Sequence, residues 1–351
     1  MSKKMIAVVW SVNTQVTQAM KIDGRLDMLK RGTETAFMTA FDVLIQAGGS
    51  TFSGDPSVLF VVPEYFFARP AAGHGHGLNE LRHLEEAEKD KIVRELVLIS
   101  KKFSNMLFVP GTIAWRKPFE RSGAKLYHAK PGADFGKPKT VSRADKALAS
   151  LTGYADKLKL SYDSPLSRSM GSTPAYTTQQ KINLLGPIFR LPDFMARNTA
   201  YVLLNGNVLF KYNKQGDFHE VLGEKNTTVY IPGKLDGRFQ LTLKESDVKR
   251  KRNRMDFGIE VCLDHAFGTT ANEIGHLGKV DVHIISSAQV ANQQKNVAVR
   301  DGGYLVHASS NKDFTTVKKR GVWFESKAAH RMPVDNFEMS FWEMDLALDM
   351  T

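Results

Sequence analysis

Cysteine is nearly absent: Cys262 is the only one in 351 residues. A single thiol cannot close an internal disulfide. That excludes a cross-linked secreted scaffold and points to a reducing, cytosolic setting. Long apolar runs are missing too. No stretch approaches the roughly 18 apolar residues that cross a bilayer as a helix, so no membrane partner is expected. The run at residues 5–10, behind Lys3 and Lys4, is too short for the core of an export signal and reads as a first strand. Histidine does not fall into metal-ligand spacing. His74 and His76, in Gly73-His74-Gly75-His76-Gly77, have no placed third ligand and read as a glycine-rich loop bordering a cleft. No metal and no other cofactor is expected.

What is present is ordinary in amount and uneven in place. Apolar residues make up 42% and charged residues 24%, as in a soluble globular protein. The net charge is +11, but residues 116–190 hold 14 basic and 5 acidic side chains, a net of +9 that leaves +2 for the rest. The run Lys249-Arg250-Lys251-Arg252-Asn253-Arg254 is a second basic cluster. Such a run can bind nucleic acid or anionic lipid, or act as a nuclear address. With no aromatic residues interleaved for base stacking, it reads as a solvated hairpin tip.

Strand and helix patterns alternate through the first part of the chain. Strands are expected at 5–10, 58–62 and 107–110, and helices at 33–47 and 79–103, where apolar residues recur at helical spacing. This alternation predicts an α/β fold with a layered sheet core. Residues 116–190 break the rhythm with Lys, Pro, Gly and Ser, apart from a short helix at 143–151. The stretch is too long for an ordinary connection, so it reads as an insertion. It is a lid, a docking site for an acidic partner, or a passive loop. Strands resume at 198–204 and 208–212 around an Asn205-Gly206 turn. Further strands are expected at 239–243, 256–262, 282–286 and 304–308, with a helix between the last two.

Three reactive groups sit at strand ends. Glu64 closes Val61-Val62-Pro63-Glu64-Tyr65-Phe66-Phe67. Lys214 closes Gly206-Asn207-Val208-Leu209-Phe210-Lys211-Tyr212-Asn213-Lys214, and Cys262 closes Phe257-Gly258-Ile259-Glu260-Val261-Cys262. Each has a bland reading: a buried apolar thiol, a solvated turn carboxylate, a snorkelling lysine like Lys211. Together they are the parts of a nucleophilic site. A thiol with a pKa of about 8.5 needs a base to ionise at neutral pH. A carboxylate among apolar neighbours is a better base than one in water. A fixed ammonium can hold the oxyanion that forms when a thiolate attacks an amide.

These segments, in this order, resemble the carbon–nitrogen hydrolase (nitrilase) superfamily and its Glu–Lys–Cys triad. Phe108-Val109-Pro110-Gly111-Thr112-Ile113, Asn198-Thr199-Ala200, Ile231-Pro232-Gly233 and the segment Val280 to Ala288 are further echoes. The resemblance covers most of the chain outside the insertion. It implies one domain, 1–351, folded as a four-layer α-β-β-α sandwich that pairs into a homo-oligomer. It implies a small-molecule amide substrate and a thioester on Cys262, with Glu64 as base and Lys214 holding the oxyanion beside the Leu263 N–H. A further glutamate is implied, Glu224 or alternatively Glu220. Tyr65, Leu263 and His265, beside the triad residues, are the substrate-binding candidates. For His265 and His219, ordinary polar lining is the open alternative.

The match has departures. The arginines that follow the cysteine in carbamoyl-amino-acid hydrolases are absent from Cys262-Leu263-Asp264-His265-Ala266-Phe267-Gly268, which disfavours that substrate class. Leu263-Asp264 sits closer to the amidase branches than to true nitrilases. The expected activity is amide hydrolysis releasing ammonia or an amine. An acyltransferase using the same thioester, or a silent scaffold binding a partner through the insertion, are the alternatives.

Overall fold

The computed structural model describes residues 2–49, 55–70, 82–118, 194–216, 228–233, 236–243, 254–274, 278–321 and 328–347. The α/β expectation is met in a mixed form. The chain opens with strand β1 (Ser2–Ser11), a short helix α1 (Thr14–Gln18) and a long helix α2 (Ile22–Gln46). Helix α2 starts well before the expected 33–47, because Gly24 and Gly32 interrupt its apolar stripe. Leu26, Met28 and Leu29 are nevertheless buried in that first half. Gly32 has a packing reason: a Cβ there would overlap the Trp10 ring.

Strand β2 (Val58–Val61) and the short β3 (Leu84–Glu85) lead to helix α3 (Glu86–Lys102). Where the pattern predicted a start at 79, Glu85 caps the helix. It forms a capping box with Glu88, which satisfies two otherwise orphaned backbone donors. Strands β4 (Met106–Val109) and β5 (Thr112–Pro118) precede the hairpin of β6 (Phe194–Leu204) and β7 (Asn207–Asn213). Its turn residues Asn205 and Gly206 have φ of 52° and 77°, the left-handed pair that a tight hairpin requires. Then come β8 (Thr228–Tyr230), β9 (Arg238–Thr242), β10 (Arg254–Val261), helices α4 (Leu263–Ala266) and α5 (Thr269–Ile274), β11 (Val280–Ser287), β12 (Val299–Ser309), β13 (Thr316–Lys319), β14 (His330–Val334) and β15 (Phe337–Ala347).

Among the described residues, the strands form two sheets. The larger has the order β14-β15-β1-β2-β4-β6-β5-β3, with β7 and β8 also paired to β6. The smaller runs β13-β12-β11-β10-β9, with β10, β11 and β12 parallel. One face of the larger sheet packs Val8, Trp10, Phe60 and Phe108 against Leu29, Ala36 and Leu44 of α2 and Ile92 and Leu96 of α3. Its other face meets the smaller sheet in a second core, where Met5, Val61, Val109 and Trp342 join Phe257, Ile259, Ile284 and Val306. Alternate residues of β1 therefore enter different cores, as the two-residue strand period dictates. Beyond the smaller sheet the described residues place only the short helices α4 and α5, so a full fourth layer is not seen.

Between β11 and β12 the expected helix is replaced by a loop with one 3-10 turn, Gln294–Asn296. The pairing of β15 with β1 was not read from the sequence. The helix expected at 143–151, the insertion beyond Pro118, most of the basic run at 249–254, and His74, His76, His219, Glu220 and Glu224 lie outside the described residues. No described helix is long and apolar enough to cross a membrane.

Gly32→Ala tests the packing of α2. Removing a helical glycine should gain about 1 kcal/mol of propensity. Overpacking against Trp10 should cost about 1–3 kcal/mol, so a net loss is expected in urea denaturation. A gain would show that Trp10 yields freely.

Candidate active site

The parallel strand ends bring the three reactive groups together. Glu64 lies just beyond β2, Lys214 directly follows β7 and Cys262 directly follows β10. Lys214 Nζ stands 2.9 Å from Glu64 Oε1, and the Cys262 thiol is close enough to both for their charges to act on it. The three side chains are withdrawn from water, at 0% exposure for Glu64, 1% for Lys214 and 7% for Cys262.

Each is held by its backbone. The chain turns out of β2 at Tyr65, which has φ of 61° and donates its N–H to Thr112 Oγ1 at 2.9 Å. The buried guanidinium of Arg25 donates to the carbonyls of Phe66 and Ala68 at 3.1 and 2.7 Å, clamping the loop behind Glu64. Burial lowers the Arg25 pKa to about 10, partly opposed by Glu88. Gly111, at φ 78°, lies so close to the Pro63 carbonyl that a Cβ would overlap it. Asn198 serves two triad members. Its side-chain N–H donates to Glu64 Oε1 at 2.9 Å, and its carbonyl accepts from the Lys214 N–H at 2.8 Å. The Lys214 carbonyl accepts from the Tyr230 hydroxyl at 2.9 Å and from the Gly233 N–H at 3.1 Å. The Pro-Gly that follows the lysine segment is thus part of its mounting.

Cys262 occupies a sharp corner, with φ 53° and ψ −114°, between β10 and α4. A non-glycine residue in such a region carries about 1–3 kcal/mol of strain that the surroundings must offset. Here the Cys262 N–H donates to the Ser286 carbonyl and its carbonyl accepts from the His265 N–H, both at 3.0 Å. Ser286 Oγ donates to the Val62 carbonyl at 3.0 Å, joining the cysteine side of the site to the glutamate side.

The electrostatics describe a protonated nucleophile beside its base. Burial pushes the thiol strongly up and Glu64 adds to that; the Lys214 charge and a hydrogen bond from the Ala288 backbone oppose them only in part. A thiol in this state reacts only if its proton is taken as it reacts, and Glu64 is the nearby carboxylate. A second carboxylate, Asp264, is fully buried and accepts from the Tyr212 hydroxyl and Gln215 N–H at 2.8 Å and from the Gly216 N–H at 3.0 Å. It ties the turn after Cys262 to both flanks of Lys214. Burial raises its pKa to about 7, with the Lys214 charge the leading opposing influence.

The other candidates divide. The Tyr65 ring lies 5.6 Å from Lys214 Nζ and is nearly buried. Half-buried Leu263 opens α4 and packs on the core between the sheets. His265 is buried, and both of its ring nitrogens are engaged. Nδ1 lies 2.8 Å from Glu260 Oε2, and Nε2 accepts from the Gln293 N–H at 3.0 Å. Asn198, Asp264, Arg25 and Ser286 were not read as site residues. The signals were the Asn198-Thr199-Ala200 echo and the position of Asp264 two residues after the cysteine.

Among the described residues, Glu260, His265 and His283 form a cluster with metal-ligand chemistry, all buried. Glu260 Oε2 is 3.1 Å from His283 Nε2, and Oε1 accepts from the Thr270 N–H at 2.5 Å. The far nitrogens argue against a cation. His265 Nε2 and His283 Nδ1 each accept a backbone N–H, from Gln293 and Ala298. Each neutral ring therefore carries its proton on the nitrogen facing Glu260, where a ligand would need a lone pair. The Asn292 amide, 3.3 Å from the same His265 Nε2, fits with its NH₂ group turned to the ring. The cluster is a carboxylate held by the His265 imidazole and the Thr270 N–H, with the His283 ring beside it. Burial opposes its charge, yet His283 and His265 hold Glu260 well below the usual carboxylate range.

No family model matches the chain, and no curated protein matches it in sequence. In structure it is similar to a mutant of a Nesterenkonia amidase from the nitrilase superfamily, with a TM-score of 0.40 and 12% identity over 98% of this chain and 90% of that one. It is also similar to a glutamine-dependent NAD+ synthetase from Acinetobacter baumannii, with a TM-score of 0.47 and 11% identity over 99% of this chain and 48% of that one. For such a synthetase from Cytophaga hutchinsonii the TM-score is 0.34 and the identity 11%, over 88% and 36% of the two chains. The chain spans less than half the length of either synthetase. Identity at this level transfers no residue role.

Lys214→Met should cost about 3–5 kcal/mol in urea denaturation, because it strands the buried Glu64 charge. A loss below about 1 kcal/mol would mean the pair is not buried as described. Asp264 predicts a pH effect. Its folded pKa, about 7, lies above the unfolded value of about 3.9. The native state therefore keeps a proton that the unfolded chain gives up between those limits, and stability falls as pH rises through that window. Asp264→Asn should abolish this fall, read as Tm against pH. A slope unchanged in the variant would assign it to other groups.

Proposed function

We propose that the protein hydrolyses amide carbon–nitrogen bonds through a thioester on Cys262. The observation that carries this reading is the convergence of thiol, carboxylate and ammonium from three distant segments around one buried Glu64. Glu64 takes the thiol proton as the sulfur attacks the amide carbon. Negative charge collects on the former carbonyl oxygen, where the Lys214 ammonium and the Leu263 N–H hold it. Loss of one such donor typically costs about 10²–10³ in kcat, so the lysine is worth several kcal/mol at that step. Collapse breaks the carbon–nitrogen bond, and Glu64 returns its proton to the departing ammonia or amine. Water deprotonated by Glu64 then attacks the thioester, and the acid leaves as the sulfur regains its proton.

In this reading Tyr65 and Leu263 line the acyl site, and Glu224 supports the leaving group or water. The chain is one hydrolase domain of the four-layer α-β-β-α type, assembling with copies of itself. Absence of arginine after Leu263-Asp264 favours a plain amide over a carbamoyl amino acid. An acyltransferase would share every step to the thioester and differ only in the acceptor.

Cys262→Ala tests the assignment against a panel of small primary amides. Ammonia release should drop by about 10³-fold or more, with circular dichroism unchanged. Turnover retained in that variant would remove the nucleophile from the mechanism.

A further inference from the structure

The cluster behind the nucleophile has a directional logic. Glu260, two residues before Cys262, is ionised and takes N–H donors only. It therefore demands the proton on His265 Nδ1 and leaves a lone pair on Nε2. That lone pair receives the Gln293 N–H, and Asn296 Nδ2 donates to the His265 and Ala266 carbonyls at 2.7 and 2.9 Å. His265 thus fastens the loop after β11 to the four-residue helix after Cys262. The same loop begins at Ala288, directly after β11. Its start is held by Ser309 Oγ, which donates to the Ala288 carbonyl at 3.1 Å. The His265 backbone N–H also accounts for the Cys262 carbonyl at the strained corner. The charged and titratable groups packed around the ring are Glu260, His283 and His307. Burial is the main reason that His307 stays neutral down to about 3.

We propose that His265 is a positioning residue for the nucleophile: Glu260 sets its tautomer, and the ring locks the Cys262 turn to the loop that follows β11. The proposal rests on Cys262 being the reactive thiol. It gives His265 a role apart from substrate contact, and it gives Glu260 a role apart from acid–base chemistry.

The test is the rate of Cys262 alkylation by iodoacetamide as a function of pH, read by intact mass, together with kcat and KM. His265→Phe should slow alkylation about tenfold at a given pH and move its alkaline limb upward, lowering kcat with little change in KM. His283→Phe removes the other imidazole from Glu260 without touching the loop lock. It should lower Tm but leave the alkylation profile in place. Should His265→Phe not fold, Gln293→Pro deletes the N–H given to the ring, along with a change of side chain and a tighter φ, and should reproduce the slow alkylation. Wild-type alkylation in whichever of these lock variants folds, or an equal shift in His283→Phe, would overturn the proposal. The readout is made on the sulfur itself, so it stands apart from the turnover of Cys262→Ala, which alone decides whether the thiol is the nucleophile.

Discussion

A glutamate and a lysine that meet at 2.9 Å with no access to water set the terms for everything around them. Taking two ions out of water costs several kcal/mol each, and their attraction offsets this only when further hydrogen bonds complete the arrangement. The fold supplies those bonds from strand β6, which pairs with both β4 and β7. Asn198 on that strand gives its amide to Glu64 and its carbonyl to the Lys214 N–H. The two charges are therefore aligned by one residue, and neither can move without the other. Keeping such a pair where hydrophobic residues would be more stable is a cost that catalysis explains better than folding does.

Charge balance decides how the thiol works. One ammonium faces Glu64 and acts on Asp264, and the sulfur sits next to the first of these carboxylates. The site thus has more acid groups than positive charge to balance them. Burial settles the difference by raising the pKa of Asp264 to about 7 and by pushing the Cys262 thiol strongly up. In the proposed mechanism the sulfur waits as a thiol rather than as a preformed thiolate, and Glu64 accepts its proton. This differs from thiols activated by a neighbouring imidazolium, which are ionised before substrate arrives.

Much of this was legible in the residues. Apolar runs ending at Glu64, Lys214 and Cys262 marked strand ends, and strand ends in parallel sheets are where side chains leave the packed layers. Asn205-Gly206 announced its hairpin because few other pairs tolerate two positive φ values. Strand β15 was not seen: the adjacent Phe341 and Trp342 face different cores, so the alternation looks broken when read along the chain. The first half of α2 was hidden by Gly24 and by Gly32, which makes room for Trp10, a contact no local pattern announces. His265 looked like a pocket residue from its place in the chain, and Asp264 was passed over. Only coordinates show that Asp264 reaches the lysine segment and His265 reaches Glu260. Long-range partners of buried polar groups are not encoded in spacing.

The most direct test of the account is a double-mutant cycle on stability between Glu64→Gln and Lys214→Met, measured by urea denaturation of the four proteins. A buried pair in direct contact predicts a coupling energy of about 2–3 kcal/mol, with the double variant recovering much of what each single change loses. Additive losses, with coupling near zero, would mean that the two side chains do not share one desolvated site.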